Sequence, residues 1–222
     1  MKAKHPAVLL TMLLLVPSPI GFTAGSSSGG GDMPASRSDL APPERSSESQ
    51  YKSALKQKEK AWKFEAKAAA ATDDKDREKN LVKAQKAYQK AIKGQTKALK
   101  TYSRNYKAAN ELGYALRKTG DYEKAIGAYN YALQINPDYH QAIEYRGEAF
   151  LALGYHEHAK QAYLQLFRDD RELAAQLMSA IETWLADETN AANDTTDLAA
   201  WVEERKSLAE VTQDLTSKSR SW

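Results

Sequence analysis

The sequence predicts an all-α protein, a short right-handed solenoid of helical-hairpin repeats, with a long N-terminal helical hairpin before the repeats and C-terminal capping helices after them. Three observations predict it. Between Tyr106 and Leu173 a pattern recurs at a spacing of 34, with Gly113 repeated as Gly147, Gly120 as Gly154, Ala125 as Ala159 and Tyr129 as Tyr163. After Gly31 the chain has only six glycines, and four of them form these two pairs. All prolines except Pro137 lie at or before Pro43, and the remainder is rich in Ala, Lys, Glu, Leu and Gln, which favours helix.

Each repeated residue has a physical task. Gly113 and Ala125 let two antiparallel helices approach closely, and Gly120 supplies a left-handed residue for the turn between them. Asp121 is placed to cap the second helix. Leu116 and Tyr129 fill the seam. One such hairpin cannot bury its own apolar face, so stacked neighbours are required.

Within residues 106–139, Leu112-Gly113, Leu116, Ala125, Tyr129, Ala132 and Pro137 stand at fixed offsets. This pattern resembles the tetratricopeptide repeat, and with the leader described below the chain is similar to bacterial exported proteins of that family. A second, looser copy occupies 140–173, keeping Gly147, Phe150, Ala159 and Tyr163 but placing Arg146 where Leu is usual and Arg171 where Pro is usual.

At the N-terminus, Lys2 and Lys4 precede an apolar run from Ala7 to Val16, followed by Thr23, Ala24 and Gly25. Residues 1–25 read as a secretory signal peptide, and the run is too short to span a bilayer. The expected location is periplasmic or secreted. Residues 26–50, rich in Ser, Gly and Pro, read as a flexible linker. Residues 51–105 follow as a basic helical hairpin interrupted at Thr72-Asp73-Asp74. The stripe Leu81, Ala84, Tyr88, Ala91, Gln95, Ala98 and Tyr102 marks its second helix. Ala91 and Ala98 stand one repeat length before Ala125 and Ala132, which identifies a degenerate repeat there, with Gln95 in the tyrosine position. Residues 174–222 complete the chain as capping helices and tail. One helix carries Leu173, Leu177, Ile181 and Trp184; a last one spans about 197–215, with Trp201 and Val202 on its apolar face and a frayed end.

Charge is unevenly distributed. The whole chain is +3, yet residues 51–104 hold sixteen Lys and Arg against six Asp and Glu, while residues 105–222 hold twelve against nineteen. A lysine-studded helix attracts anionic surfaces or acidic proteins; export argues against nucleic acid. The alternative reading of the chain is therefore a structural tether that holds anionic envelope material through this hairpin.

The family resemblance implies a groove lined by the first helix of each repeat, which receives a protein or peptide segment. Carried onto this chain, its positions are Lys107, Asn110, Tyr114, Arg117 and Lys118 in the first copy, and Gln141, Glu144 and Glu148 in the second. Lys107, Asn110 and Arg117 are the residue types that share a carboxylate's two oxygens. Glu144 and Glu148 shift the expectation to a mixed-charge segment. The reading is an interaction adaptor or scaffold without catalytic residues, metal or cofactor. The chain has no cysteine. His156 and His158 flank Glu157 at a turn and lack HExxH spacing, so a metal-dependent hydrolase ranks a distant third.

Overall fold

The computed structural model describes residues 42–187, 190 and 195–219, with side chains described as far as 208. The expected signal peptide lies outside these residues. So does the linker up to residue 41. Every regular element among the described residues, apart from a single 3₁₀ position at Asn190, is an α-helix. None is long and apolar enough to cross a membrane.

The first hairpin pairs α1 (Pro42–Ala69) with α2 (Asp74–Thr101), both of 28 residues. The start at Pro42 corrects the linker expectation for residues 42–50. Proline is tolerated in the first turn of a helix, where its missing N–H has no intrahelical acceptor, and Glu44 adds a favourable charge there. Ser47, inside the expected linker, is fully buried: its hydroxyl donates to the Ala98 carbonyl at 2.9 Å and accepts from Asn105 Nδ2 at 2.9 Å. Asp73 caps α2 by accepting from the Asp76 N–H. Gly94 is the close approach in this hairpin, since a Cβ there would lie 2.7 Å from the Ala54 Cβ.

Two shorter hairpins follow. In the first, α3 (Tyr106–Lys118) turns into α4 (Tyr122–Ile135); in the second, α5 (His140–Ala152) turns into α6 (His156–Asp169). The two internal turns share one design. Gly120 (φ 84°) and Gly154 (φ 74°) are left-handed. In each, the glycine N–H and the next residue's N–H return to the end of the preceding helix: Gly120 to Arg117 O and Asp121 to Leu116 O, Gly154 to Leu151 O and Tyr155 to Phe150 O. This is the Schellman arrangement that left-handed glycine permits. The cap expected from Asp121 is not made. Its carboxylate instead pairs with Lys124 Nζ at 2.6 Å, and α4 has no side-chain cap.

The repeat in sequence is also a repeat in burial. Ala91, Gln95 and Ala98 of α2 are buried, as are Ala125, Tyr129 and Ala132 of α4 and Ala159, Tyr163 and Leu166 of α6. Alanine dominates the interior: of the 29 buried hydrophobic residues described, 18 are alanine, so helix axes pack closely with little side-chain bulk between them.

The chain divides into two compact units between Ser179 and Ala180, inside α7 (Arg171–Ala186). On the first side, Asp170 caps α7 through the Leu173 N–H, and Leu177 packs on Gly147. On the second, Lys206 of α8 (Thr196–Ser219) reaches Glu182 at 2.8 Å, and Leu198 and Val202 are buried. Helix α8 runs to Ser219, which corrects the expected end near 215 and the frayed tail as far as that residue.

Candidate functional site

Helix α3 touches both α1 and α5, so three helices present neighbouring faces. Their facing positions carry charge where the sequence pattern alone suggests solvent. Lys58 of α1 pairs with Glu111 of α3 at 2.5 Å, and Lys118 of α3 pairs with Glu65 of α1 at 2.9 Å. Arg117 of α3 pairs with Glu148 of α5 at 2.5 Å. All six side chains are largely buried. Glu65 also accepts from the Tyr88 hydroxyl at 2.9 Å.

A file of aromatic rings runs through these pairs. Tyr114 is its centre, with ring centroids 6.1 Å from Trp62, 6.2 Å from Tyr88 and 5.1 Å from Tyr145. The Trp62 indole N–H donates to the Tyr114 hydroxyl at 2.8 Å. Lys58 lies over the rings of Trp62 and Tyr114 at 4.8 and 4.9 Å, and Arg117 over those of Tyr114 and Tyr145 at 5.3 and 5.4 Å. Each of these cations therefore has a carboxylate partner and an aromatic face, which is how a charge tolerates removal from water.

Among the described residues, compensation is incomplete at Asn110. The Asn110 side chain is fully buried, and neither its Oδ1 nor its Nδ2 has a hydrogen-bond partner. The buried Tyr129 hydroxyl interacts with Arg117, and buried Glu144 with Glu148. Burial raises the Glu144 carboxyl well above its ordinary value, and Glu148 adds to that shift while Arg117 opposes it. Burial also disfavours the Arg117 charge, but Glu148, followed by Tyr129, Tyr114 and Glu144, holds its pKa well above the usual one. Two carboxyl groups thus lie near one guanidinium.

The expected groove residues fall into two groups. Asn110, Tyr114, Arg117, Lys118, Glu144 and Glu148 come together in or beside the buried network. Lys107 is exposed, with its ammonium 5.9 Å from the Tyr106 ring, and Gln141 is half-buried. Lys107, Asn110 and Arg117 do not form an open trio of donors, because Arg117 is held by Glu148 and Asn110 lies inside. Sequence reading missed Lys58, Glu65, Glu111 and Trp62. Their only sequence signal is an acid, a lysine or an indole on a helical face, and the residues that complete them across the α1/α3 seam are remote in sequence.

In the first turn of α6, the His158 ring packs 4.8 Å from Phe150. Among the described residues no group of three or more His, Asp or Glu side chains is arranged to hold a metal ion.

Residues 106–139 match the family model of the tetratricopeptide repeat. Among solved structures, the chain is similar to the first tetratricopeptide domain of Spaghetti (RPAP3) bound to the HSP90 peptide SRMEEVD. The identity is 22%, over 58% of this chain and 96% of that one, with a TM-score of 0.41. No curated protein matches the chain. Among the described residues the chain is all-α, built of helical hairpins of the tetratricopeptide type, and residues 106–139 match one repeat of that family.

Proposed function

We propose that this protein is an adaptor or scaffold whose α3 and α5 faces receive a segment of a protein partner. One observation carries the reading: Lys107 of α3 is exposed and Gln141, one repeat length on at the equivalent position of α5, is half-buried, so both meet a partner without opening the buried network. Export belongs to this reading, supported by the leader pattern of residues 1–25.

The test places a photo-cross-linker at Lys107 or at Gln141 in intact cells, with exposed Glu123 of α4 as the control position. The expected result is one protein captured from positions 107 and 141 and not from 123. Equal capture from 123, or none from the first two, overturns the assignment.

A further inference from the structure

A strongly charged surface lies on α2, whose buried face supplies Tyr88 to this network. Along α2 the lysines from Lys79 to Lys100 fall at alternating steps of four and three: Lys79, Lys83, Lys86, Lys90, Lys93, Lys97 and Lys100, all exposed. Between Lys79 and Thr101 the helix has no acidic residue and no arginine. Asp76 pairs with Lys79 at 3.8 Å and Lys83 rests over the Phe64 ring at 5.6 Å. Among the described residues, no acidic side chain pairs with Lys86, Lys90, Lys93, Lys97 or Lys100. Like charges at these steps oppose helix formation, so the stripe is maintained against its own repulsion by packing on the opposite face.

Geometry restricts what can cover it. The seven charges from Lys79 to Lys100 span about 32 Å of helix, an axial step of about 5 Å per charge. A partner helix with Glu or Asp at alternating steps of three and four presents carboxylates at the same step. An extended chain presents same-face side chains about 6.7 Å apart, and falls out of register by about one charge every three or four steps. Beside the C-terminal half of the stripe is an open notch of about 350 Å³, lined by Ile92, Lys93, Thr96, Lys97 and Lys100. Its walls are an isoleucine and lysine stems, which suit an apolar side chain. A phosphate polymer or a lipid headgroup brings none, and the face offers no arginine fork or exposed aromatic ring for phosphates or bases.

We propose that the lysine stripe of α2 is a second docking surface, which takes an acidic helix with carboxylates at alternating three- and four-residue steps and one apolar residue seated in the notch at Ile92. The surface is independent of the α3/α5 face, and its occupant is a protein helix.

The experiment uses the full chain and a labelled helical peptide, long enough to cover the stripe, with Glu at alternating steps and one Leu, read by fluorescence anisotropy in low salt. A scrambled peptide of equal composition and vesicles of phosphatidylglycerol serve as comparisons. The matched peptide is expected to bind at least 10-fold more tightly than the scrambled one. The combined change Lys90→Gln, Lys93→Gln, Lys97→Gln and Lys100→Gln is expected to weaken it at least 10-fold. The same change at exposed Lys52, Lys56, Lys60 and Lys63 of α1 should leave affinity within about two-fold. Filling the notch with Thr96→Trp should weaken the Leu peptide and spare its Ala counterpart. Equal binding of the scrambled peptide, equal retention by the vesicles, or no binding at all overturns the proposal. Lys97→Gln alone, with an expected loss of about three-fold, decides the matter if the fourfold variant folds poorly.

Discussion

At Gly113 a Cβ would stand 2.6 Å from Tyr129 Cε1 and within 2.9 Å of two more ring atoms, whereas at Gly127, in the middle of α4, it would meet nothing within 4 Å. The same substitution therefore has opposite signs on the two helices of one hairpin. Gly113→Ala should destabilise the protein by about 1–3 kcal/mol, as overpacking does, because Tyr129 is fully buried and has no room to retreat. Gly127→Ala should stabilise it by about 0.5–1 kcal/mol through helix propensity. Urea unfolding of both variants checks the pair. Gly113 was legible in the sequence because close approach demands a glycine at a fixed offset; nothing in the sequence distinguishes the open surroundings of Gly127. Glu144 makes a different prediction. Its folded-state pKa is raised, so the native protein binds this proton more tightly than the unfolded chain does. The associated stability is full below the ordinary carboxylate value and is lost as pH rises through the raised one, with a slope of at most about 1.4 kcal/mol per pH unit. The urea midpoint should fall as pH rises above the ordinary carboxylate range, and Glu144→Gln should flatten that fall. An unchanged slope in the variant would remove Glu144 as its source.

Among the elements, α1 departs most from sequence expectation. Pro42 and Pro43 read as linker because proline is usually a breaker, yet in a first turn they are compatible with helix, and the buried Ser47 fixes that turn to the end of α2. Ser47→Ala should cost about 1 kcal/mol, since it removes one hydrogen bond to Ala98 and leaves the Asn105 amide with one fewer acceptor. The helical repeat was readable because each repeated residue answers to a contact within its own hairpin or turn. The ion pairs Lys58–Glu111 and Lys118–Glu65 were not, because each joins α1 to α3 with the whole of α2 intervening in the chain. Tyr88→Phe tests this inter-helix network at one bond. Removing the hydroxyl that donates to buried Glu65 should cost about 1.5–3 kcal/mol, the range for a hydrogen bond to a charged group, in equilibrium unfolding. A cost below about 0.5 kcal/mol, on the order of an exposed pair, would mean that Lys118 alone satisfies Glu65.

For the molecule as a whole, the consequential feature is an interior in which 18 of the 29 buried hydrophobic residues described are alanine. Such an interior hides little hydrocarbon for each residue it orders, and it also shelters Glu65, Gln95, Asn110, Glu111 and Glu144, whose exposure acts in the reverse thermal sense. The heat-capacity increment of unfolding should consequently lie below the usual figure of about 12–15 cal/mol/K per residue, a result that scanning calorimetry reads directly. A small increment flattens the curve of stability against temperature. Cooling would then weaken the fold only slightly, and a modest unfolding enthalpy would suffice to keep it folded across a broad thermal range.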